Sequence, residues 1–312
     1  MSKIFVTQKL VDGGIDPLLA SGHQIEVRDS SDPIRATELI DQAHDADAII
    51  CLLNDPINKD VFDALVNLKV VGTVAVGHDN IDLAEARRHE VAVVNTPGVL
   101  DASTADVAIL LMLAALRRSS DAERTLRTGQ WTGWDLGDNV GRDMTGASLG
   151  LVGFGRIARA VAQRAHGFSM TVLHHTRTPT GDEGWSASLH EMAAQVDVLS
   201  IHVPHTESTT NLIDDAVLRA LRPTSVVINT ARGPVLDEIA LASALEEGRL
   251  YGAGLDVYQG EPSIDPALLR APHTVLLPHI GSSTVATRLA MCHLAIRGVL
   301  DVLEGRAPSN LV

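Results

Sequence analysis

Short apolar runs alternate with segments of helical spacing along the first hundred residues of the chain. Five runs rich in β-branched residues predict strands, at positions 4–7, 25–28, 48–53, 70–74 and 91–95. Between them, residues 36–43 and 59–68 have the apolar spacing of helices. Alternation of this kind predicts a parallel sheet whose strands are joined by crossover helices.

A long apolar segment separates this series from a second one. Residues 103–127 predict a single helix with arginines in its later turns, and Gly129 ends it. The second series of predicted strands lies at positions 148–153, 170–174, 198–202, 226–229, 252–257 and 275–277. A last helix, at 283–303, has no strand after it and can fold back on the first series. We therefore predict an α/β protein of two doubly wound parallel-sheet domains with a cleft between them: residues 1–100 with 284–312, and residues 101–283.

Charge and cysteine content narrow the classes of partner. The 312-residue chain has a net charge of -14, which argues against a nucleic-acid surface because phosphate binding needs clustered Lys and Arg. A local arginine can still bind an anionic substrate. Cys51 and Cys292 each lie in an apolar segment, so we expect two reduced, buried thiols and a cytoplasmic protein. No targeting segment and no run long enough to span a bilayer is visible, so we expect no membrane partner.

A glycine-rich turn opens the second series. Gly153 and Gly155 follow an apolar strand and precede a helix, and Ala158 takes the third position of the pattern G-x-G-x-x-G/A. In that pattern the first glycine allows the tight turn, and the second lets a pyrophosphate approach the backbone. The amides of Arg156 and Ile157 would face that anion at the helix N-terminus. A bare match can also be an ordinary tight turn, but here both flanking elements favour a Rossmann-type dinucleotide site.

The end of the next strand predicts which dinucleotide binds. A carboxylate there would hold the ribose 2′-hydroxyl of NAD, whereas a nearby arginine accommodates the 2′-phosphate of NADP. The sequence at 174–178 is His-His-Thr-Arg-Thr, without a carboxylate. Thr176 and Arg177 therefore predict NADPH as the preferred cofactor, with NAD possible. The alternative is that Arg177 is only a solvated loop residue.

Three polar residues each follow an apolar, strand-like run of the second series. They are Arg232, Glu261 and His279. Ligands bind outside the carboxyl ends of strands in an open α/β sheet. Taken singly, each residue can be a surface charge, a turn acid or a buried core histidine. Their convergence on one sheet edge beside a dinucleotide site instead predicts hydride transfer to a 2-keto acid.

The motifs resemble those of the D-isomer-specific 2-hydroxyacid dehydrogenase family over essentially the whole chain. The matching stretches are the glycine turn and residues 76–82, 95–100, 229–233, 254–262 and 278–282. The resemblance implies a Rossmann-type cofactor domain and a flavodoxin-like substrate domain. Ala158 stands where the family usually has glycine, and Thr176 stands where it usually has an acid, which puts NADH in doubt.

The resemblance also implies roles for individual residues. His279 would give a proton to the carbonyl oxygen, Glu261 would bond the other ring nitrogen and favour the imidazolium, and Arg232 would bind the substrate carboxylate. The backbone at Val76 and Gly77 would hold that carboxylate, with Leu53 lining the pocket. The cofactor would further contact His202, Val203, Pro204, Thr230, Ala231, Asp256 and Gly281.

These expectations lead to one prediction of function and several alternatives. We predict an NADPH-preferring reductase that converts glyoxylate or hydroxypyruvate to D-2-hydroxy acids. A reductase of longer sugar acids such as 2-ketogluconate is the closest rival, and a dinucleotide-sensing protein resembling the family's corepressors is the rival from another class. The end of the chain at Val312 argues against a regulated phosphoglycerate dehydrogenase. We expect no metal, because the histidine pairs lack companions at ligand spacing, and the resemblance suggests a homodimer around the helix and loop that contain Trp131 and Trp134.

Overall fold

The computed structural model describes residues 1–30 and 32–312, which form parallel strands joined by helices. The strands, in chain order, are β1 Lys3–Val6, β2 Gln24–Val27, β3 Ala48–Cys51, β4 Val70–Thr73, β5 Ala92–Val94, β6 Ser148–Val152, β7 Thr171–His175, β8 Trp185–Ser186, β9 Val198–Ile201, β10 Val226–Asn229, β11 Gly252–Leu255 and β12 Thr274–Leu276. The α-helices are α1 Asp16–Leu19, α2 Ala36–Gln42, α3 Lys59–Ala64, α4 Leu83–Arg88, α5 Asp101–Leu116, α6 Ser119–Arg127, α7 Arg156–His166, α8 Leu189–Ala193, α9 Asp215–Ala220, α10 Glu238–Glu246, α11 Pro266–Arg270 and α12 Val285–Leu303.

The first unit comprises Met1–Leu100 and Ser283–Val312. Its five strands are parallel and ordered β2-β1-β3-β4-β5, which is the flavodoxin-like order. Helix α12 packs on β3, β4 and β5, so the end of the chain completes this unit. A bridge between Val94 and Leu311 adds the last residues to the edge strand.

The second unit comprises Asp101–Ser282. Its seven strands are parallel and ordered β12-β11-β10-β9-β6-β7-β8. The chain moves outward from β6 in both directions, so β6 and β9 flank the point where the strand order reverses. This is the doubly wound order of dinucleotide-binding sheets, and that reversal is where such sheets bind ligands. The prediction of two parallel-sheet α/β domains is confirmed.

The core of the second unit lies on both faces of its sheet. Alternate strand residues contribute to opposite clusters: Leu199 and Val227 belong to one, whereas Leu151 and Ile228 belong to the other. The sequence of a strand that is covered on both faces is a nearly continuous apolar run and does not alternate between apolar and polar residues. This explains why β9 and β10, which are buried at every position, are so apolar in sequence.

The single helix predicted at 103–127 is wrong, because the structure has two helices there. Helix α5 ends at Leu116 and α6 begins at Ser119, with Arg118 between them in the left-handed region at φ 49°. Helix α5 packs against β10, β11 and α7 and is buried along most of its length, whereas none of the nine residues of α6 is buried. At this break the Arg118 guanidinium lies 4.5 Å from the centroid of the Tyr251 ring, within reach of a cation–π interaction.

Within residues 1–30 and 32–312, none of the helices is both long and apolar enough to cross a membrane.

Candidate active site

The three predicted catalytic residues lie at the same edge of one sheet. Arg232 follows β10, Glu261 lies in the segment after β11, and His279 follows β12. These three strands are parallel neighbours in the second unit, so their carboxyl ends lie side by side. The structure therefore brings together side chains that are almost fifty residues apart in the chain.

Glu261 and His279 form a direct pair. Nδ1 of His279 lies 2.8 Å from Oε2 of Glu261, and Oε1 of Glu261 accepts the backbone amide of Tyr258 at 2.8 Å. Because a carboxylate only accepts, the shared proton belongs on Nδ1 of the imidazole. The other ring nitrogen is thus the one that can exchange a proton with a ligand.

The charge state of Glu261 follows from its neighbours. Burial raises the pKa of this carboxyl, but the hydrogen bond and charge of His279, the amide of Tyr258 and the charge of Arg232 together outweigh that effect. The pKa of Glu261 is therefore lower than its ordinary value. The group that faces Nδ1 of His279 is therefore the ionised carboxylate.

Arg232 is held on a short loop by its neighbours. The Asn229 side chain donates to the carbonyl of Arg232 at 2.9 Å and accepts the amide of Ala231 at 3.0 Å. Nη1 of Arg232 donates to the Ala231 carbonyl at 2.9 Å. Asn229 is fully buried at the end of β10, so the loop that carries the guanidinium starts from a fixed point.

The glycine-rich turn has the geometry that a dinucleotide needs. Gly153 adopts φ 90°, and a Cβ there would lie 2.7 Å from the carbonyl oxygen of His202. Gly155 is the N-cap of α7, and a Cβ added to it would meet no atom of the described residues within 4 Å. Ala158 is fully buried in the helix that follows. Gly155 and the first amides of α7, those of Arg156 and Ile157, therefore border open space at a helix N-terminus, which suits an anion.

The end of β7 offers hydroxyls and an exposed guanidinium. The Thr176 hydroxyl donates to the carbonyl of Thr178 at 2.7 Å and accepts the indole N–H of Trp185 at 3.1 Å, while Arg177 is exposed. The first carboxylate after this strand is Asp182. Both of its oxygens bond the guanidinium of Arg159, at 3.0 and 2.6 Å. Its charge is thus already paired within the protein.

The remaining predicted cofactor residues line the same edge of the second unit. His202, Val203 and Pro204 follow β9, and Val203 stands behind Gly153. Burial lowers the pKa of His202 to about 4, so its ring is neutral, and its Nε2 pairs with the Ser200 hydroxyl at 2.8 Å.

Thr230 and Asp256 differ in how much of their bonding capacity the protein itself uses. The buried Thr230 hydroxyl has no hydrogen-bond partner among the residues that the structure describes. Asp256 accepts the amides of Ile280 and Gly281, both at 2.7 Å, and burial nevertheless raises its pKa. Asp256 thus fixes the segment beside His279, while Thr230 keeps an unused polar group, as a residue that awaits a ligand would.

The predicted substrate-binding residues Leu53, Val76 and Gly77 belong to the first unit. They follow the carboxyl ends of β3 and β4. The Asn95 side chain donates to the carbonyl of Val76 at 2.8 Å, which fixes that loop. The predicted site residues that belong to the second unit are therefore those of the triad and those expected to bind the cofactor.

Two further features escaped the sequence interpretation. The Phe154 ring, between the two glycines, stacks on the His174 ring at 3.9 Å between centroids, so the glycine turn is anchored on the end of β7. Glu238, at the start of α10, is buried and lies beside the segment that carries Glu261. An acid at a helix start is ordinary in sequence, and no signal distinguished this one.

A cluster with possible metal ligands lies elsewhere, in the first unit. Ligand atoms of Asp63, Glu85 and His89 come within 4.8 Å of one another. Lys59 and Arg88 also pair with Asp63 in this cluster, so its negative charge is already compensated. The group is an ion-pair network on the surface of α3 and α4.

Comparison with known proteins identifies close relatives. A family model described as D-isomer specific 2-hydroxyacid dehydrogenase, NAD binding domain, matches residues 109–281. The glyoxylate reductase of Thermococcus litoralis is 37% identical over 99% of this chain and 96% of its own length. A solved structure from Thermus thermophilus superposes with a TM-score of 0.94 at 39% identity, covering 99% of both chains.

One further solved structure contains a bound cofactor. It is the NADPH-dependent glyoxylate/hydroxypyruvate reductase of Sinorhizobium meliloti, in complex with NADP and malonate. It is 34% identical, with a TM-score of 0.89, and the match covers 100% of this chain and 96% of that one.

Proposed function

Because the chain belongs to the D-isomer-specific 2-hydroxyacid dehydrogenase family and is therefore an NAD(P)-dependent oxidoreductase, we propose that it is an NADPH-preferring reductase of small 2-keto acids. Glyoxylate and hydroxypyruvate are the proposed substrates, and D-2-hydroxy acids the products. The observation that carries the proposal is the pairing of an imidazole with an ionised carboxylate next to a guanidinium at the edge of a dinucleotide-binding sheet.

Each residue of the triad has a chemical task in this reaction. Reduced nicotinamide, when bound, supplies the hydride that adds to the carbonyl carbon. His279 gives a proton to the carbonyl oxygen as negative charge develops on it. Glu261 keeps the proton on Nδ1 and stabilises the charged imidazole. Arg232 binds the substrate carboxylate, for which a planar guanidinium is well shaped, and stabilises charge on the oxygen.

The residues present fit a dinucleotide. The pyrophosphate would contact Gly155 and the amides of Arg156 and Ile157, and the unpaired Thr230 hydroxyl would take a polar group of the cofactor. By family resemblance, Ala231, Asp256 and Gly281 would lie near the nicotinamide. Leu53, Val76 and Gly77 would take part in binding the substrate.

NADPH is proposed as the preferred cofactor on the chemistry at the end of β7. Arg177 is exposed and able to pair with a 2′-phosphate, and the nearest downstream carboxylate, Asp182, is neutralised by Arg159. The NADPH dependence named for the Sinorhizobium relative supports the same choice.

A homodimer is proposed on the exposed apolar residues that follow α6. Trp131 is 54% exposed and Trp134 is 81% exposed, and Leu136 and Val140 continue the apolar surface. Large side chains exposed together mark interaction surfaces. We also propose the cytoplasm as the location, because Cys51 and Cys292 are free and buried.

The test is a panel of 2-keto acids assayed with both reduced nicotinamides. We expect turnover with glyoxylate and hydroxypyruvate, and a higher kcat/KM with NADPH than with NADH. His279→Ala should abolish turnover while NADPH still binds, with His190→Ala, at an exposed site on α8, as the control. Preference for 2-ketogluconate would point to the sugar-acid reductase, and turnover of no 2-keto acid would favour the dinucleotide sensor.

A further inference from the structure

We infer that Glu238, which is not part of the triad, is a positioning residue that holds Glu261 against His279. The inference rests on the proposed roles of Glu261 and His279. Glu238 lies in the first turn of α10 and is only 3% exposed. Its Oε1 accepts the backbone amide of Gln259 at 2.6 Å. It thus binds the turn that delivers Glu261, two residues before Glu261 itself.

Two successive backbone amides each donate to a different glutamate. The amide of Tyr258 donates to Glu261 at 2.8 Å, and the next amide, that of Gln259, donates to Glu238. Tyr258 is therefore held on both sides: a carboxyl oxygen accepts its own N–H, and another accepts the N–H of the residue after it. Both amides thus have an acceptor, so this turn has a defined orientation.

Gly233 packs directly against the Tyr258–Gln259 peptide. A Cβ on Gly233 would lie 1.9 Å from the carbonyl carbon of Tyr258, so the loop after Arg232 touches this peptide directly. Helix α10, which carries Glu238, starts soon after that loop. The Tyr258–Gln259 peptide is thus held by the segment that carries Arg232, and in turn it holds Glu261. Glu238 therefore helps to fix the peptide that lies between the loop of Arg232 and Glu261.

A purely local role for Glu238 in the helix does not explain its burial. Asp237 already caps α10, since its side chain accepts the amide of Ala240 at 2.9 Å. An acid that served only the helix dipole could remain in water. Burial instead raises the pKa of Glu238 to about 7, and the charges of Asp265 and Glu261 add to that effect against the lowering by the Gln259 amide. The buried acid is therefore costly to the fold, and what it provides is the fixed turn.

The experiment compares two replacements of similar length. Glu238→Gln keeps an oxygen that can accept the Gln259 amide, whereas Glu238→Met fills the same space without an acceptor. With glyoxylate and NADPH we expect Glu238→Met to lower kcat by ~10-fold, equivalent to about 1.4 kcal/mol of barrier, and to change the KM for NADPH by less than ~2-fold. Glu238→Gln should stay within ~3-fold of the wild type. Glu246→Met, at an exposed position of the same helix, is the matched control and should change neither constant.

A double-mutant cycle separates positioning from general damage to the fold. If Glu238 acts through Glu261, the loss caused by Glu238→Met should disappear in the Glu261→Gln background, because coupled residues are non-additive. An undiminished loss there, or wild-type kcat in Glu238→Met, overturns the inference. If the methionine variant does not fold, Glu238→Asp, which shortens the reach by one methylene, takes its place with the same expectations.

A spectroscopic readout keeps this inference distinct from the proposed function. The ring N–H of His279 that bonds Glu261 should give a downfield proton resonance that Glu238→Met weakens and Glu238→Gln retains. Should the wild type reduce no 2-keto acid, the proposed function fails and this resonance still decides the positioning role. An unchanged resonance in Glu238→Met would refute it.

Discussion

Replacing Gly155 by alanine should separate cofactor binding from folding. Gly155 has φ -79° and ψ -165°, a conformation that alanine adopts, and its added Cβ would meet no described atom within 4 Å. Gly153 is the matched comparison. Its φ is 90°, and a Cβ there would lie 2.7 Å from the His202 carbonyl oxygen. Only the space beside Gly155 is open, and this is where the pyrophosphate is proposed to lie.

The expected magnitudes follow from these two environments. Alanine is a poorer N-cap than glycine by up to about 1 kcal/mol, but it also stabilises by about 0.4–1 kcal/mol because it restricts the unfolded chain. The free energy of unfolding of Gly155→Ala should therefore stay within about 1 kcal/mol of the wild type. Gly153→Ala must lose at least about 1–2 kcal/mol to left-handed strain alone. A methyl at position 155 that displaces one charged hydrogen bond to the cofactor costs about 1.5–3 kcal/mol, or ~10–150-fold in affinity.

Thermal unfolding with and without NADPH measures both quantities. At a cofactor concentration ~100 times its Kd, the wild type should gain about 2.7 kcal/mol. Gly155→Ala should melt like the free wild type and keep only about 0.3–1.4 kcal/mol of this gain, whereas Gly153→Ala should melt earlier even without cofactor. An NADPH-induced gain in Gly155→Ala equal to that of the wild type would contradict the proposed pyrophosphate position.

Three other perturbations test the charges of the site. Glu261→Gln keeps an acceptor for His279 but removes the negative charge. In steady-state assays kcat/KM should fall ~10–150-fold, which corresponds to about 1.5–3 kcal/mol. An unchanged kcat/KM would exclude a catalytic role for the charge of Glu261. Arg177→Ala should raise the KM for NADPH much more than that for NADH, whereas equal effects on both would remove the basis for cofactor selectivity. The third concerns Glu238, whose pKa rises from 4.5 to about 7 on folding. The folded state binds the extra proton between these values, so this acid's contribution to stability is present below pH 4.5 and lost as the pH rises through 7. Urea unfolding should thus show Glu238→Gln gaining about 1–3 kcal/mol on the wild type between ~pH 5 and ~pH 8, and a pH-independent difference would contradict the raised pKa.

The errors in reading the sequence have physical causes. The break between α5 and α6 lies at Arg118, which has a positive φ and contacts Tyr251, a residue more than a hundred positions away, so helical spacing alone could not reveal it. The sequence did not establish how far Trp131 and Trp134 are buried within one chain, and the structure leaves 54% and 81% of these residues exposed. Glu238 looked like any acid in a first helical turn, because its burial depends on the segment after β11.

Local pattern determined much of this protein. Apolar runs between helical spacings predict parallel sheets, since a strand covered on both faces is mostly apolar. The glycine turn between an apolar strand and a helix predicts a dinucleotide site, because its glycines allow a tight turn and the approach of a pyrophosphate. The motifs also identified the family, which the relatives confirm. Tertiary structure alone decided the contacts among side chains. It placed Glu261 beside His279 and gave each oxygen of Asp256 a backbone amide as donor. It also placed Glu238 where it accepts the Gln259 amide. Such contacts join residues from different strands and helices, and their distances and their burial, which sets the pKa values, exist only once the sheet has formed.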